Sequence, residues 1–109
     1  IAKLKTEFYK DLRVTGEFTA MNNELEKAAR VADFIELADL MAHDARDRNE
    51  SCGGHLRVES MTSEGEAQRD DEHFKYVSVW EYKGENQAPE LHKEELVFEN
   101  VQLTQRSYK

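Results

Sequence analysis

The chain has 109 residues, of which 35% are charged, and it carries a net charge of −8 and a mean hydropathy of −0.84. This length corresponds to one domain with a modest core, and the negative charge argues against nucleic acid or an anionic membrane as a direct partner. No apolar run approaches the roughly 20 residues that a bilayer-spanning helix needs. The single cysteine excludes an internal disulfide, which fits a reducing compartment.

The first twelve residues have the period of a helix. Apolar side chains recur at spacings of three and four at Ile1, Leu4, Phe8 and Leu12, which predicts one helical face. Gly16 is expected to end this helix. Because the chain opens on Ile1 rather than Met and is already helical in character there, we expect it to be a piece of a longer protein.

A long apolar stripe over residues 23–48 is the strongest pattern in the sequence. Asn22 or Asn23 is a suitable N-cap, and acidic residues follow at the positive end of the helix dipole. Apolar side chains cover most of the circumference, which predicts a helix of about 39 Å sandwiched between neighbours. We interpret the stripe as a bundle core that packs on the first helix and buries Ile35; a cofactor groove is the alternative.

The second half of the chain changes pattern. Residues 58–69 are polar and aperiodic, which predicts a loop. Over residues 74–82 aromatic side chains share one face and valines the other, which predicts a strand. A turn is expected over residues 83–90, and a second strand is expected over residues 96–103.

Between the halves lies a polar, glycine-containing stretch. Gly53 and Gly54 suit the C-terminal stop of the long helix. Six polar residues surround this stop and could pair on folding: Glu50, His55, Arg57, Arg69, Asp70 and Asp71. We call these six the polar clasp, in which His55 and Arg57 reach the last helix carbonyls or Glu50, and the two aspartates accept hydrogen bonds from Arg57 or Arg69. The alternative is that these groups point to water.

None of the chemical motifs predicts a reaction centre. Cys52 and His55 offer two zinc ligands where a structural site needs four. As a nucleophile and base they lack an orienting third group, and a cysteine at a helix C-terminus is disfavoured as a thiolate. The acidic run that begins at Asp70 is interpreted as ion-paired or solvated. We therefore predict no catalytic, cofactor-binding or metal residues in the chain.

The same stretch resembles a known signature. It is similar to the ESRG-x-H-x-R…RDD-x-x-W pattern in the C-terminal domain of the flavoprotein subunit of succinate dehydrogenases and fumarate reductases, a version of which aspartate oxidases share. Cys52 stands where many members have Arg, and Phe74 where many have Trp. The form with Cys-Gly-Gly-His resembles the branch that has a single-subunit cytochrome b anchor. The matching residues are Glu50, Ser51, Gly53, His55, Arg57, Arg69, Asp70 and Asp71.

The resemblance covers nearly the whole chain and implies a fold. Similar stretches occur at residues 25–28, 30–34, 80–84 and 98–109. The implied fold is mostly α, a short antiparallel helical bundle like a spectrin repeat with a C-terminal β-hairpin or extended tail, for which α+β is the alternative label.

The expected domain organisation is a single domain, residues 1–109, cut from a larger flavoprotein. Residues 1–57 would form the helical part, residues 58–73 a loop, and residues 74–109 the strand and extended tail.

The resemblance also implies a parent protein. Such flavoproteins interconvert succinate and fumarate by hydride transfer with FAD, in respiratory electron transport and the tricarboxylic acid cycle. The flavin and the catalytic residues would lie upstream of Ile1, so the fragment alone is expected to be inactive. The implied partners are the N-terminal flavin and capping domains, an iron–sulfur subunit and a cytochrome b anchor, on the cytoplasmic side of the bacterial inner membrane and without direct membrane insertion.

Three hypotheses about function follow. The first is a structural and docking domain of a respiratory flavoprotein, and the second is a free-standing helical interaction module. The third, an independent cysteine enzyme, is disfavoured because Cys52 lacks a partner set.

Overall fold

The computed structural model describes residues 1–105 and 107, and it contains both helices and a small sheet. The elements in chain order are α1 (Ala2–Asp11), α2 (Asn23–Asp47), a 3-10 turn (Val58–Ser60), α3 (Asp71–Phe74), β1 (Tyr76–Glu81) and β2 (Glu90–Glu95). The predicted mixture of helix and strand is therefore confirmed. The chain divides into two compact units, Ile1–His43 and Asp44–Lys109. Within the described residues, every helix is too short or too polar to cross a lipid bilayer.

The connection between α1 and α2 is organised by Asn22. Its side-chain oxygen accepts hydrogen bonds from the backbone N–H of Glu24 (3.0 Å) and Leu25 (3.3 Å), so Asn22 is the N-cap of α2, one of the two predicted positions. Its Nδ2 donates to the carbonyl of Thr15 at 3.0 Å. Gly16 has a φ of +106°, and a Cβ there would lie 2.9 Å from that amide nitrogen. The glycine thus admits the capping side chain.

The predicted first helix is confirmed, but its stop is not where we expected. α1 ends at Asp11, five residues before Gly16, and the backbone of Leu12 is already extended with a ψ of 131°. The guanidinium of Arg13 donates to the carbonyls of Lys10 (3.2 Å) and Leu12 (2.7 Å). A cationic side chain on the last carbonyls, rather than a glycine, therefore terminates the helix.

The predicted long helix is also confirmed and ends one residue earlier than expected. Within the first unit, one side of α2 is less exposed than the rest. Its residues follow one another at spacings of three or four: Ala28, Ala32, Ile35, Asp39 and His43. Ile35 is 6% exposed and is the buried residue of the helix. An ion pair of 2.6 Å joins Lys5 of α1 to Glu36 of α2.

The predicted bundle core stays a prediction. α1 has no buried residue, and much of the apolar surface of α2 is open to solvent within the described chain. Helical periodicity shows which residues share a face, but it does not show what lies against that face.

The second unit contains a β-hairpin that corrects the predicted second strand. β1 pairs antiparallel with β2, in a register that runs from Tyr76 opposite Glu95 to Glu81 opposite Glu90. The strand expected over residues 96–103 is wrong, because residues 96–105 form no regular element. The true strand reads Glu-Leu-His-Lys-Glu-Glu and lacks the apolar alternation that signals a strand.

The first strand is confirmed but shorter than predicted. Phe74 was expected in the strand and instead ends α3, a single helical turn. The predicted aromatic face is the covered one, since Tyr76 is 8% exposed while Val77 and Val79, on the other face, are 45% and 46% exposed. The predicted loop of residues 58–69 holds the 3-10 turn and an isolated bridge between Met61 and Ala67.

Candidate functional site

The two glycines of the signature form a tight turn rather than the stop of the long helix. α2 ends at Asp47, and Cys52 and His55 then exchange two backbone hydrogen bonds of 2.9 Å and 3.0 Å across the glycines. Gly53 takes a φ of +58°, which a two-residue hairpin turn demands and a side chain resists. The predicted helix stop at Gly53 and Gly54 is therefore wrong.

This placement also changes the argument about Cys52. The cysteine is exposed and lies five residues beyond the end of α2. The dipole of a helix is felt within its last turn, so it does not act on this thiol. The expectation that the helix end disfavours a thiolate therefore rests on a geometry that the chain does not adopt.

Two cationic or polar side chains return from the turn to the helix end. The imidazole Nε2 of His55 lies 2.9 Å from the carbonyl oxygen of Arg48, a hydrogen bond when this nitrogen carries the proton. Nη1 of Arg57 lies 3.4 Å from the carbonyl oxygens of both Ala45 and Arg46. These are carbonyls that the end of a helix leaves without intrahelical donors, and a guanidinium there also opposes the negative end of the dipole.

Glu50 is the buried carboxylate of the site, with 3% of its surface exposed. One oxygen accepts from Nη1 of Arg48 at 2.5 Å, and the other accepts from the backbone N–H of Asp70 at 2.8 Å. Desolvating a carboxylate is costly, so it is tolerated here because a cation and an amide donor both reach it. Glu50 thereby joins the residue after α2 to the residue before α3.

Ser51 is fully buried and makes a second connection. Its hydroxyl accepts from the backbone N–H of Arg57 at 2.9 Å and donates to the carbonyl of the same residue at 3.2 Å. Its own N–H donates to the carbonyl of Gln68 at 2.9 Å. Within the described part of the chain, no buried side-chain nitrogen or oxygen lacks a hydrogen-bond partner.

Arg69 and Asp71 form a salt bridge, one of the contacts that we predicted for the polar clasp. Nε and Nη2 of Arg69 donate to the two oxygens of Asp71 at 3.0 Å and 2.7 Å, a two-pronged geometry. These hydrogen bonds raise the pKa of Arg69 above its already high value.

Asp70 has a different role. Its carboxylate caps α3 by accepting from the backbone N–H of His73 at 3.2 Å, and the imidazole Nδ1 of His73 lies 2.9 Å away. The side-chain hydrogen bond lowers the pKa of Asp70 and raises the pKa of His73. The described carboxylate contact of Arg57 is Glu59 at 3.9 Å. The predicted acceptance by Asp70 from Arg57 or Arg69 is therefore wrong, because the cap position directs Asp70 into its own helix.

Arg48 is the residue that sequence reasoning missed. Besides Glu50, its guanidinium donates to the carbonyls of Phe74 (3.4 Å) and Tyr76 (3.3 Å). Its central carbon lies 5.9 Å and 5.4 Å from the centres of the same two rings, within reach of a cation–π interaction. The available signal was an arginine two residues before a glutamate, whereas its aromatic partners lie 26 and 28 residues further along the chain.

A further connection joins the last turn of α2 to β1. Nε1 of Trp80 donates to a carboxylate oxygen of Asp44 at 3.0 Å. Burial acts to raise the pKa of Asp44, but hydrogen bonds from Trp80 and Ser78 and the nearby charge of Arg48 outweigh it, so the pKa is lowered. The site is therefore a hydrogen-bonded network that holds the end of α2, α3 and β1 together. The carboxylates of Asp44, Glu50, Asp70 and Asp71 each accept from a donor in it.

The comparisons with known proteins agree with the signature. The family model described as fumarate reductase flavoprotein C-term matches residues 1–108. The fumarate reductase flavoprotein subunit of Serratia sp. (strain ATCC 39006) is 30% identical over 108 residues, which are 99% of this chain and 17% of that relative. No solved structure matches the chain significantly. The resemblance is thereby confirmed, and the chain belongs to the family of fumarate reductase and succinate dehydrogenase flavoprotein C-terminal domains.

Proposed function

We propose that this chain is the structural and docking domain at the C-terminal end of a flavoprotein that interconverts succinate and fumarate. The observation that carries the proposal is that part of the apolar pattern of α2 is exposed to solvent. We call this part, formed by Phe34, Leu37 and Met41, the stripe from here on. Phe34, Leu37 and Met41 recur at spacings of three and four and are 63%, 53% and 62% exposed. At 3.6 residues per turn this stripe lies nearly opposite the covered side that contains Ile35.

The stripe has a natural occupant. Burying one large apolar side chain contributes about 1.5–3 kcal/mol, so three such side chains support a stable contact. The chain spans 17% of the length of its curated relative, which leaves most of such a flavoprotein available to cover them. The occupant in our proposal is the preceding part of the same polypeptide, with its flavin and capping domains.

The polar clasp serves this docking role from within the second unit. Its member Glu50, together with the neighbouring Arg48, fixes the residues after α2 to the N-cap of α3 and to the start of β1. A buried, fully hydrogen-bonded network restricts the conformations that the chain can adopt. In our proposal the signature residues therefore have a structural role, which is to hold the chain in one conformation, and not a catalytic role.

The remaining parts of the reaction belong to the parent protein. FAD is held by the preceding domains, and the hydride transfer takes place there. The parent assembles with an iron–sulfur subunit and a cytochrome b anchor, as a peripheral subunit on the cytoplasmic side of the bacterial inner membrane. The 109-residue chain alone binds no FAD and turns over neither succinate nor fumarate.

The test uses the complete natural polypeptide that contains residues 1–109. Purified as the wild type, it should carry flavin absorbance and interconvert succinate and fumarate. Phe34→Asp should lower the flavin content or the yield of assembled protein, because it places a carboxylate in the contact. A wild-type polypeptide that lacks flavin and both activities would overturn the proposal.

The matched control is Ala29→Asp. Ala29 is an exposed residue of the same helix outside the stripe, so the same carboxylate is introduced away from the contact. The control should keep the flavin and the activity of the wild type. Equal losses in both variants would show that the helix, and not the stripe, is being perturbed.

A further inference from the structure

One face of the β-hairpin gathers three side chains of a kind that binds metal ions. Glu81 and Glu90 are directly opposite each other in the register, and His92 follows two residues along β2. Because alternate residues of a strand share a face, all three project from the same side. Their nearest potential ligand atoms all lie within 4.8 Å of one another. This face is opposite the one that carries Tyr76 and Trp80.

A cation of the chain itself already lies among these groups. Nζ of Lys83 lies 3.2 Å from one oxygen of Glu81 and 2.9 Å from an oxygen of Glu90. Nε2 of His92 lies 2.7 Å from the other oxygen of Glu81. An ammonium group therefore lies between the two carboxylates, at a position where a metal ion would also be attracted.

We propose that Glu81, Glu90 and His92 form a surface site for a divalent transition-metal ion such as Zn²⁺, which displaces the ammonium of Lys83. One imidazole and two carboxylates are a donor set that suits zinc better than magnesium, which takes oxygen ligands. Three protein ligands leave a fourth position for water, as in zinc sites that are open to solvent.

The three potential ligand atoms need to approach one another only slightly to surround a metal ion. Ligands at about 2.1 Å around a tetrahedral ion are about 3.4 Å apart, against the 4.8 Å that bounds the present separations. The side chains of Glu81, Glu90 and His92 are 49%, 53% and 50% exposed. They are therefore free to rotate inward while the paired strands hold their Cα positions.

The competing interpretation is an ordinary surface ion-pair cluster that never binds a metal, since exposed acidic groups are common without one. The two readings differ in the role of Lys83. If the lysine only stabilises the cluster, removing it does not create metal affinity. If the metal takes its place, removing the ammonium also removes a competitor, and the affinity for the metal rises.

The experiment is isothermal titration of Zn²⁺ into the complete natural polypeptide that contains residues 1–109, repeated with Mg²⁺. His92→Ala and Glu90→Gln should each weaken one Zn²⁺ site by at least about tenfold, because even the loss of a residue that only orients a metal ligand costs about 10–100-fold in affinity. Lys83→Met should tighten the same site several-fold. Mg²⁺ at equal concentration should not compete.

The matched control is His73→Ala. His73 also contacts a carboxylate, that of Asp70, but it is not part of the three-ligand cluster. Zn²⁺ binding should be unchanged in this variant, and the circular dichroism of all variants should match the wild type. An isotherm that is the same for the wild type and His92→Ala, or a Lys83→Met variant that binds no more tightly, would overturn the proposal.

Discussion

The two units of the chain use their residues in opposite ways. Ile1–His43 leaves large apolar side chains such as Phe34 and Met41 in solvent and buries mainly Ile35. Asp44–Lys109 buries a carboxylate and a hydroxyl, those of Glu50 and Ser51. An apolar pattern therefore identifies a helix or strand but not what packs against it, whereas a buried polar group with all its donors in place marks a contact that is complete within the chain.

The largest effect is expected in the first unit. Ile35→Asp should lower the free energy of unfolding by more than about 4 kcal/mol, because it removes apolar burial and places an unpaired carboxylate in a covered site. Circular dichroism at 222 nm during urea titration measures it.

The neighbouring residue provides the control for that experiment. Phe34→Asp alters a side chain that is 63% exposed, so the isolated chain should lose no more than about 0.5–1 kcal/mol, near the range for surface substitutions. If both variants unfold alike, the assignment of a covered and an open side to α2 is incorrect.

The next effect concerns the second unit. Glu50→Ala should cost about 3 kcal/mol, because it leaves the guanidinium of Arg48 and the N–H of Asp70 without their buried acceptor. The fluorescence of Trp80, the single tryptophan, reports this unit during denaturation. Glu59→Ala removes a carboxylate whose side chain is 76% exposed and should be nearly neutral; a comparable loss there would contradict the role of burial.

A smaller effect is expected at Arg57. Arg57→Ala should cost about 1 kcal/mol, since it removes two long hydrogen bonds to helix carbonyls and a partly covered stem. Because Arg57 contacts neither aspartate in the described structure, double mutants with Asp70→Ala or Asp71→Ala should be additive within about 0.5 kcal/mol. Coupling between Arg57 and either aspartate would support the pairing that we predicted from the sequence. By contrast, Arg69→Ala and Asp71→Ala should not be additive, because the two side chains share a two-pronged contact.

The smallest effect is a pH dependence at the surface. The contact with Asp70 raises the pKa of His73 and lowers the pKa of Asp70. The contribution of His73 is present below its ordinary pKa of about 6.5 and is lost as the pH rises through its raised value in the folded chain. The contribution of Asp70 is present above about 3.9 and is lost as the pH falls through its lowered value.

NMR titration of the imidazole protons of His73 checks this prediction. In the wild type the midpoint should lie above the ordinary value, and Asp70→Asn should return it towards that value. A midpoint that does not respond to Asp70→Asn would show that the contact is absent in solution.

The sequence predicts the helices well because their signal is local. The period around Ile35 and the cap at Asn22 each depend on residues within four positions, as helical hydrogen bonds do. β2 could not be predicted in this way. Its residues Glu90–Glu95 are mostly charged, and they form a strand because β1 offers them a backbone partner. Conversely, residues 96–103 have an apolar alternation but no partner strand in the described chain.

The candidate site was predicted only in part, for a related reason. The helix-directed roles of His55 and Arg57 followed from the general shortage of donors at a helix end. The role of Arg48 did not, because its acceptors at Phe74 and Tyr76 are 26 and 28 residues away. Gly53 was assigned to the wrong turn, since a helix stop and a two-residue hairpin both require its positive φ.

The contact between Asp44 and Trp80 has a consequence for biosynthesis. The two residues are 36 positions apart, so at about 5–20 residues per second the ribosome needs about 2–7 seconds to supply the indole after the carboxylate. During that interval the carboxylate of Asp44 lacks the indole donor that it has in the folded chain. The N-terminal part of α2, capped by Asn22, requires no such delay. The contact that joins the last turn of α2 to β1 therefore becomes available only seconds after α2 itself has been synthesised.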